Sequence, residues 1–259
     1  MQETTNYPHG TFSWADVNTT DPKAGKAFYT QLFGWTFEDV PAGDGVYTMF
    51  YKDGQEVAAL SGMPSGQENM PPHWNAYITV DDVDAVTAKV AGLGGIVAMP
   101  PFDVMDAGRM AAIQDPTGAF VMLWQAKNHI GAKIWGAPGS IAWNELLTHD
   151  TAKAEAFYTA LLGWEIQRST DPEYTMFANN GQPGAGLMKI QAEWGEVPPH
   201  WSLYFAVDDC DAAVAKAVEL GGKVVTPPMD IPKTGRFALL HDPQGALFNV
   251  IKFVEMASE

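Results

Sequence analysis

Cysteine is almost absent from the 259-residue chain, and the single Cys210 excludes an internal disulfide framework. Basic residues are scarce too, with 15 Lys and Arg against 31 Asp and Glu and a net charge of −16. With no basic cluster beyond isolated pairs, the chain repels phosphate backbones and anionic headgroups, which excludes nucleic acid and membrane surfaces as partners. No apolar run approaches the roughly 18 residues of a spanning helix. Residues 1–10 lack the basic start and apolar stretch of a secretory signal, so the expected location is the cytoplasm. A Gly-x-Ser-x-Gly elbow, a Gly-rich phosphate loop opening a helix, and a Cys with a catalytic partner are all missing.

What is present is a repeat. Pro71-Pro72-His73-Trp74-Asn75-Ala76-Tyr77 returns 127 residues later as Pro198-Pro199-His200-Trp201-Ser202-Leu203-Tyr204. Trp14 likewise answers to Trp143, Phe28-Tyr29 to Phe157-Tyr158, Tyr47-Thr48-Met49-Phe50 to Tyr174-Thr175-Met176-Phe177, and Gly108-Arg109 to Gly235-Arg236. Within each copy the order strand, helix, three strands occurs twice. Residues 11–17 have the branching of a strand, Thr20-Asp21-Pro22 starts a helix and Gly34 ends it, and short strands follow near 35–39, 46–51 and 56–61. The second unit has a strand at 74–80, a helix at 82–93, a short strand near 96–98, and strands near 109–114 and 119–125. The expected architecture is α+β: four βαβββ modules paired into two domains, 1–130 and 140–259, joined by a linker at 131–139.

The Ala27-Phe28-Tyr29 helix after Thr20-Asp21, the Gly-Gly after each second helix, and the Asp-Pro-x-Gly turns at Asp115 and Asp242 resemble the vicinal oxygen chelate superfamily. That superfamily holds glyoxalase I, bleomycin-resistance proteins and extradiol dioxygenases. More closely, the chain resembles its two-domain glyoxalase-like or hydroxylase proteins, a mycobacterial antigen among them. The resemblance implies that each domain is an incomplete barrel of curved sheet whose concave face holds the ligand. It also implies a metal bound by His and Glu at four positions per domain, which here fall at Trp14, Ala59, Asn75 and Met122, and at Trp143, Gly186, Ser202 and Asn249. None is a His or a carboxylate, and an indole offers only a donor. The expectation is therefore no metal and no cofactor at the ordinary site, with a displaced site on His73 and Glu56 as the metal-using alternative.

Period-two alternation puts Phe12, Trp14 and Asp16 on the concave face, with Trp143 and Glu145 in the second domain. His73, Asn75 and Tyr77 share that face, as do His200, Ser202 and Tyr204, and the last strands add Met122, Trp124 and Asn249. The bland reading is that the aromatics fill the half-barrel and that His73 and His200 cap turns. The functional reading is a cup for a small aromatic or hydrophobic ligand. A carboxylate on an apolar face is costly unless paired or protonated, so Asp16 and Glu145 either meet a cation, with Arg109 and Arg236 as candidates, or act as bases. Three functions follow: ligand binding without turnover; a lyase, isomerase or hydroxylase-type enzyme using Asp16 or Glu145 with Tyr77 or Tyr204; or an interaction protein with closed cups. The cups differ, the first being more apolar. The expected partner is a small molecule, and the chain a monomer or homodimer.

Overall fold

The computed structural model describes residues 4–43, 45–67, 69–169, 171 and 173–254, so the outer ends of the two expected domains lie outside the described residues. The first half runs β1 (Thr11–Thr19), α1 (Pro22–Phe33), β2 (Thr36–Ala42), β3 (Gly45–Lys52), β4 (Gln55–Gly62), β5 (His73–Thr79), α2 (Val83–Val90), β6 (Ile96–Val104), β7 (Gly108–Gln114) and β8 (Phe120–Ala126). The second half repeats it: β9 (Ile141–Thr148), α3 (Thr151–Leu162), β10 (Glu165–Arg168), β11 (Tyr174–Asn179), β12 (Gln182–Lys189), β13 (His200–Ala206), α4 (Cys210–Glu219), β14 (Lys223–Ile231), β15 (Gly235–His241) and β16 (Leu247–Phe253). These are four βαβββ units. Among the described residues no helix is long and apolar enough to cross a membrane.

Local chemistry sets the helix ends. Asp21, Asp82, Asp150 and Asp209 each accept a backbone N–H from three residues on, satisfying a donor the first turn leaves free. Gly34 and Gly163 stop α1 and α3 in the left-handed conformation, at φ 69° and 75°. Strand β6 is longer than its sequence suggests and passes through Pro100-Pro101. It can do so because it is an edge strand whose pairing with β7 is interrupted by an irregularity between Met99 and Phe102.

Each half forms one eight-stranded sheet, in the order β2-β3-β4-β1-β5-β8-β7-β6 and its counterpart β10-β11-β12-β9-β13-β16-β15-β14. The two units of a half join through the antiparallel pairs β1/β5 and β9/β13. Trp14, Tyr47, Met49, Ala59, Tyr77, Met110, Trp124, Val40 and Val104 belong to one cluster fed from all eight strands, so the first sheet curls around it.

The opposite faces of the two sheets share a single core with the helices. Phe33 of α1 lies 5.0 Å from Phe205, and Phe12 lies 4.9 Å from Trp201, ring centroid to centroid. Tyr29 donates to Asp242 at 2.9 Å while accepting from Trp74, and its counterpart Tyr158 donates to Asp115 at 3.0 Å while accepting from Trp201. The segment 131–139 is built into the first half rather than loosely tethered. Strands β1 and β4 pair only from Asp16/Ala59 onward, and in the gap before that point Ala132 and Lys133 donate to the carbonyls of Ser13 and Glu56.

Candidate functional site

In the first half the concave face is organised around Asp16. Its Oδ2 accepts from Tyr77 at 2.7 Å and Tyr47 at 2.9 Å, and its Oδ1 from Asn75 at 2.8 Å. The Trp14 indole donates to Tyr47 Oη at 3.0 Å. Adjacent strands place these groups: Asp16 lies opposite Asn75 on β5 and opposite Ala59 on β4, and Tyr77 opposite Met122 on β8. Burial raises the Asp16 pKa, opposed by the three donors and by His73, while burial beside Asp16 pushes both tyrosines well above their ordinary value. The tyrosines are therefore donors, not bases.

The second half rebuilds the cluster with one substitution of length. Glu145 replaces Asp16, Tyr204 donates to it at 3.0 Å, the Tyr174 hydroxyl lies close enough to favour its ionised form, and the Trp143 indole donates to Tyr174 at 3.0 Å. No Asn75 counterpart reaches the carboxylate: Ser202 stands at that position and accepts from Asn249 at 2.7 Å. Burial pushes the Glu145 pKa from 4.5 up to about 7.

The cups differ in closure. Trp14, Tyr77 and Trp124 are 4%, 7% and 5% exposed, and His129 closes over them with its ring 4.5 Å from Trp14. Glu56 holds His129 at 3.4 Å. In the second half Glu145, Tyr204 and Ile251 are as buried as their counterparts, and Tyr174 and Phe237 are partly buried like Tyr47 and Met110, but Trp143 and Met176 are partly buried where Trp14 and Met49 are buried. Two surface hollows, of about 240 and 310 Å³, lie elsewhere, around Tyr7 and Gln125 and around Phe33 and Lys216.

Three sequence expectations fail. Phe12 is not in the cup: a bulge between Phe12 and Trp14 breaks the alternation and turns Phe12 into the shared core against Trp164 and Trp201. Arg109 and Arg236 do not meet the cup carboxylates, because they alternate to the helix side, where Arg109 pairs with Asp84 and Asp103, and Arg236 with Asp211 and Asp230. His73 and Glu56 form no displaced metal site. His73 lies opposite Asn18 toward one end of β1, whereas Glu56 precedes the Asp16/Ala59 pair at the other end, where residues 132 and 133 enter between β1 and β4, and Glu56 holds His129 instead.

His73 and His200 each fold back onto the carbonyl of Pro71 or Pro198 at 2.8 Å. Met122 and Trp124 lie with the first cluster, and the Trp124 indole donates to the His129 carbonyl at 2.9 Å. Tyr47, Tyr174 and His129 escaped the sequence reading. The repeated Tyr-Thr-Met-Phe strand carried the signal for the two tyrosines, whereas His129 has no counterpart in the repeat.

A divalent ion needs several oxygen or nitrogen acceptors converging at about 2 Å. At the superfamily's metal positions the first half offers an indole N–H, a methyl, an amide turned toward Asp16, and a thioether. The lone carboxylate is already surrounded by three donors. The second half offers an indole N–H at Trp143, no side chain at Gly186, and only two neutral acceptors, Ser202 Oγ and Asn249 Oδ1, the Asn249 Nδ2 donating to Ser202 and the Leu203 carbonyl. Among the described residues no three His, Cys, Asp or Glu are grouped to hold a metal. These side chains do not fit the superfamily's metal.

The Glyoxalase/Bleomycin resistance protein/Dioxygenase superfamily model matches residues 11–123 and 140–250. A Mycobacterium tuberculosis protein, CFP32, whose name assigns it provisionally to the glyoxylases, is 50% identical over 97% of this chain and 98% of its own length. The anthracycline biosynthesis protein DauV of Streptomyces sp. strain C5 is 40% identical over 97% of this chain and 96% of its own. Among solved structures, the Mn(II)-bound glyoxalase of Novosphingobium aromaticivorans matches with a TM-score of 0.64 at 18% identity, over 94% of this chain and 82% of that one. With both halves matched and the paired βαβββ sheets in place, the chain belongs to the glyoxalase/bleomycin resistance protein/dioxygenase superfamily.

Proposed function

We propose that the chain binds a small, flat aromatic or hydrophobic molecule in the concave face of its second half, oriented by Glu145, Tyr174 and Tyr204, without a metal at the superfamily's ordinary positions. The observation that carries this reading is the recurrence in both halves of a buried carboxylate flanked by two tyrosines beside a tryptophan. Packing alone favours apolar groups there, since a buried carboxylate costs several kcal/mol against a hydrophobic replacement, on the order of that seen for buried ions. Apolar walls with a few converging polar groups are the ordinary make-up of a ligand pocket. The relative named for anthracycline biosynthesis supports the reading, because fused aromatic rings have the flat shape such a cup accepts.

Quenching of tryptophan fluorescence across a panel of planar aromatics tests it. Saturable quenching with a rise in Tm is expected, and Trp143→Ala weakens it at least tenfold. A panel with no saturable binder, or one whose binders ignore Trp143→Ala, overturns the reading.

One observation favours a second reading, an enzyme of proton transfer, isomerisation or lysis: the Glu145 pKa of about 7 is that of a group able to take and return a proton at neutral pH. With a substrate in hand, the rate would rise with pH through about 7 and vanish in Glu145→Gln. A flat profile excludes Glu145 as base.

A further inference from the structure

Several acids elsewhere on the molecule have cationic partners. Asp84 meets Arg109, Asp211 meets Arg236, Glu155 meets Arg168 and Asp39 meets Lys26. The buried Asp115 and Asp242 lack a cation but accept three and three backbone N–H groups respectively, besides a tyrosine hydroxyl each. Among the described residues Asp16 and Glu145 have neither arrangement. Asp16 has three side-chain donors and lies under closed aromatics. Glu145 has one, the Tyr204 hydroxyl at 3.0 Å, with the Tyr174 hydroxyl nearby favouring its ionised form, although a carboxylate offers about four acceptor sites.

Resting on the reading of the second cup as the ligand site, we infer that its ligand is a cation: an aromatic or aromatic-bearing ammonium whose charge sits on Glu145 among Trp143, Tyr174, Tyr204 and Phe237. Three features converge on that charge. The carboxylate has spare acceptor sites and no counter-ion. The partly buried rings of Trp143, Tyr174 and Phe237 share the face with the buried Tyr204, whose ring lies 6.1 Å from Phe237, and the faces of such rings attract an ammonium as the carboxylate does. The chain's net charge of −16 draws cations and repels anions.

The other titratable groups do not supply the missing charge. On this face from the neighbouring strands lie Tyr174 on β11, Tyr204 and His200 on β13 and, farther out, Glu165 on β10, His241 on β15 and Lys223 on β14. His200 has its pKa lowered by burial and bonds the Pro198 carbonyl, and His241 is engaged with the Gly245 carbonyl. Covering Glu145 with a neutral ligand would remove its remaining water and force it to bind a proton. Covering it with a cation fixes the ionised form. The two ligand classes therefore have opposite pH dependence.

The test is calorimetric titration of the full chain with 1-naphthylmethylamine, charged across the range used, and with uncharged 1-naphthylmethanol, each at pH 6 and pH 8. With Glu145 titrating near 7, the amine should bind roughly tenfold more tightly at pH 8 than at pH 6. It should also bind more tightly than the alcohol at pH 8, and lose both advantages in Glu145→Gln. Alcohol binding as tight as amine binding, or amine binding indifferent to pH and to Glu145→Gln, overturns the cation inference and leaves aromatic binding standing. If neither probe binds at any pH, the ligand-cup reading falls with it. The pH series on the unaltered chain decides the matter even if the variant folds poorly.

Discussion

Asp16 and Glu145 differ by one methylene, and the difference is absorbed across the strand: opposite the shorter acid stands Ala59, and opposite the longer one Gly186. A carboxyl whose folded pKa is raised holds a proton that the unfolded chain has released, so its burial weakens the fold as pH rises through that window. For Glu145 the window runs from 4.5 to about 7, and the shift corresponds to about 3 kcal/mol. Glu145→Gln should accordingly gain stability relative to the parent between pH 5 and pH 8, seen as a Tm difference several degrees larger at pH 8. An equal difference at the two pH values would mean that Glu145 is ionised throughout. The two acids and their central-strand tyrosines were legible because alternation needs only a strand and a phase. Tyr47 and Tyr174 were not, because nothing in a strand's own sequence says which distant residue its hydroxyl will reach.

Strand phase fails wherever a bulge resets it, which explains Phe12: one irregular step before Trp14 exchanges the two faces, and the sequence Thr11-Phe12-Ser13-Trp14 carries no Gly or Pro to announce it. Register also explains Arg109 and Arg236, which open β7 and β15 on the face of α2 and α4, so each guanidinium meets an acid in the first turn of a helix. Replacing Arg236 with Ala should leave aromatic-ligand affinity unchanged in the titration. A marked loss would place it at the site after all. On β12, a Cβ at Gly186 would run into the Tyr174 hydroxyl and crowd the Trp143 indole. Gly186→Ala should cost about 1–3 kcal/mol by denaturant unfolding, as overpacking does, and much of that cost should disappear when Tyr174→Phe is added. Full additivity of the two changes would show that Tyr174 is not the group displaced.

At the scale of the molecule, the duplication and the strand order were readable from the repeat, but the partnership of the halves was not, since the aromatic residues of α1 and α3 look the same whether they face their own sheet or the other. They face both. The Tyr29–Asp242 and Tyr158–Asp115 bonds cross between the halves within one continuous core. Tyr29→Phe and Tyr158→Phe should each cost about 1–3 kcal/mol by leaving a buried acceptor unpaired, and the full chain should unfold in one transition by both fluorescence and circular dichroism. Two separate transitions would show independent halves. The central claim, that this superfamily member uses its cup for an aromatic ligand rather than for a metal, is tested most directly by titrating such a ligand into protein exhaustively dialysed against chelator, before and after adding Mn(II) or Zn(II). The account predicts the same affinity throughout, with one ligand per chain; binding that is lost with the metal and restored by adding it back would contradict it.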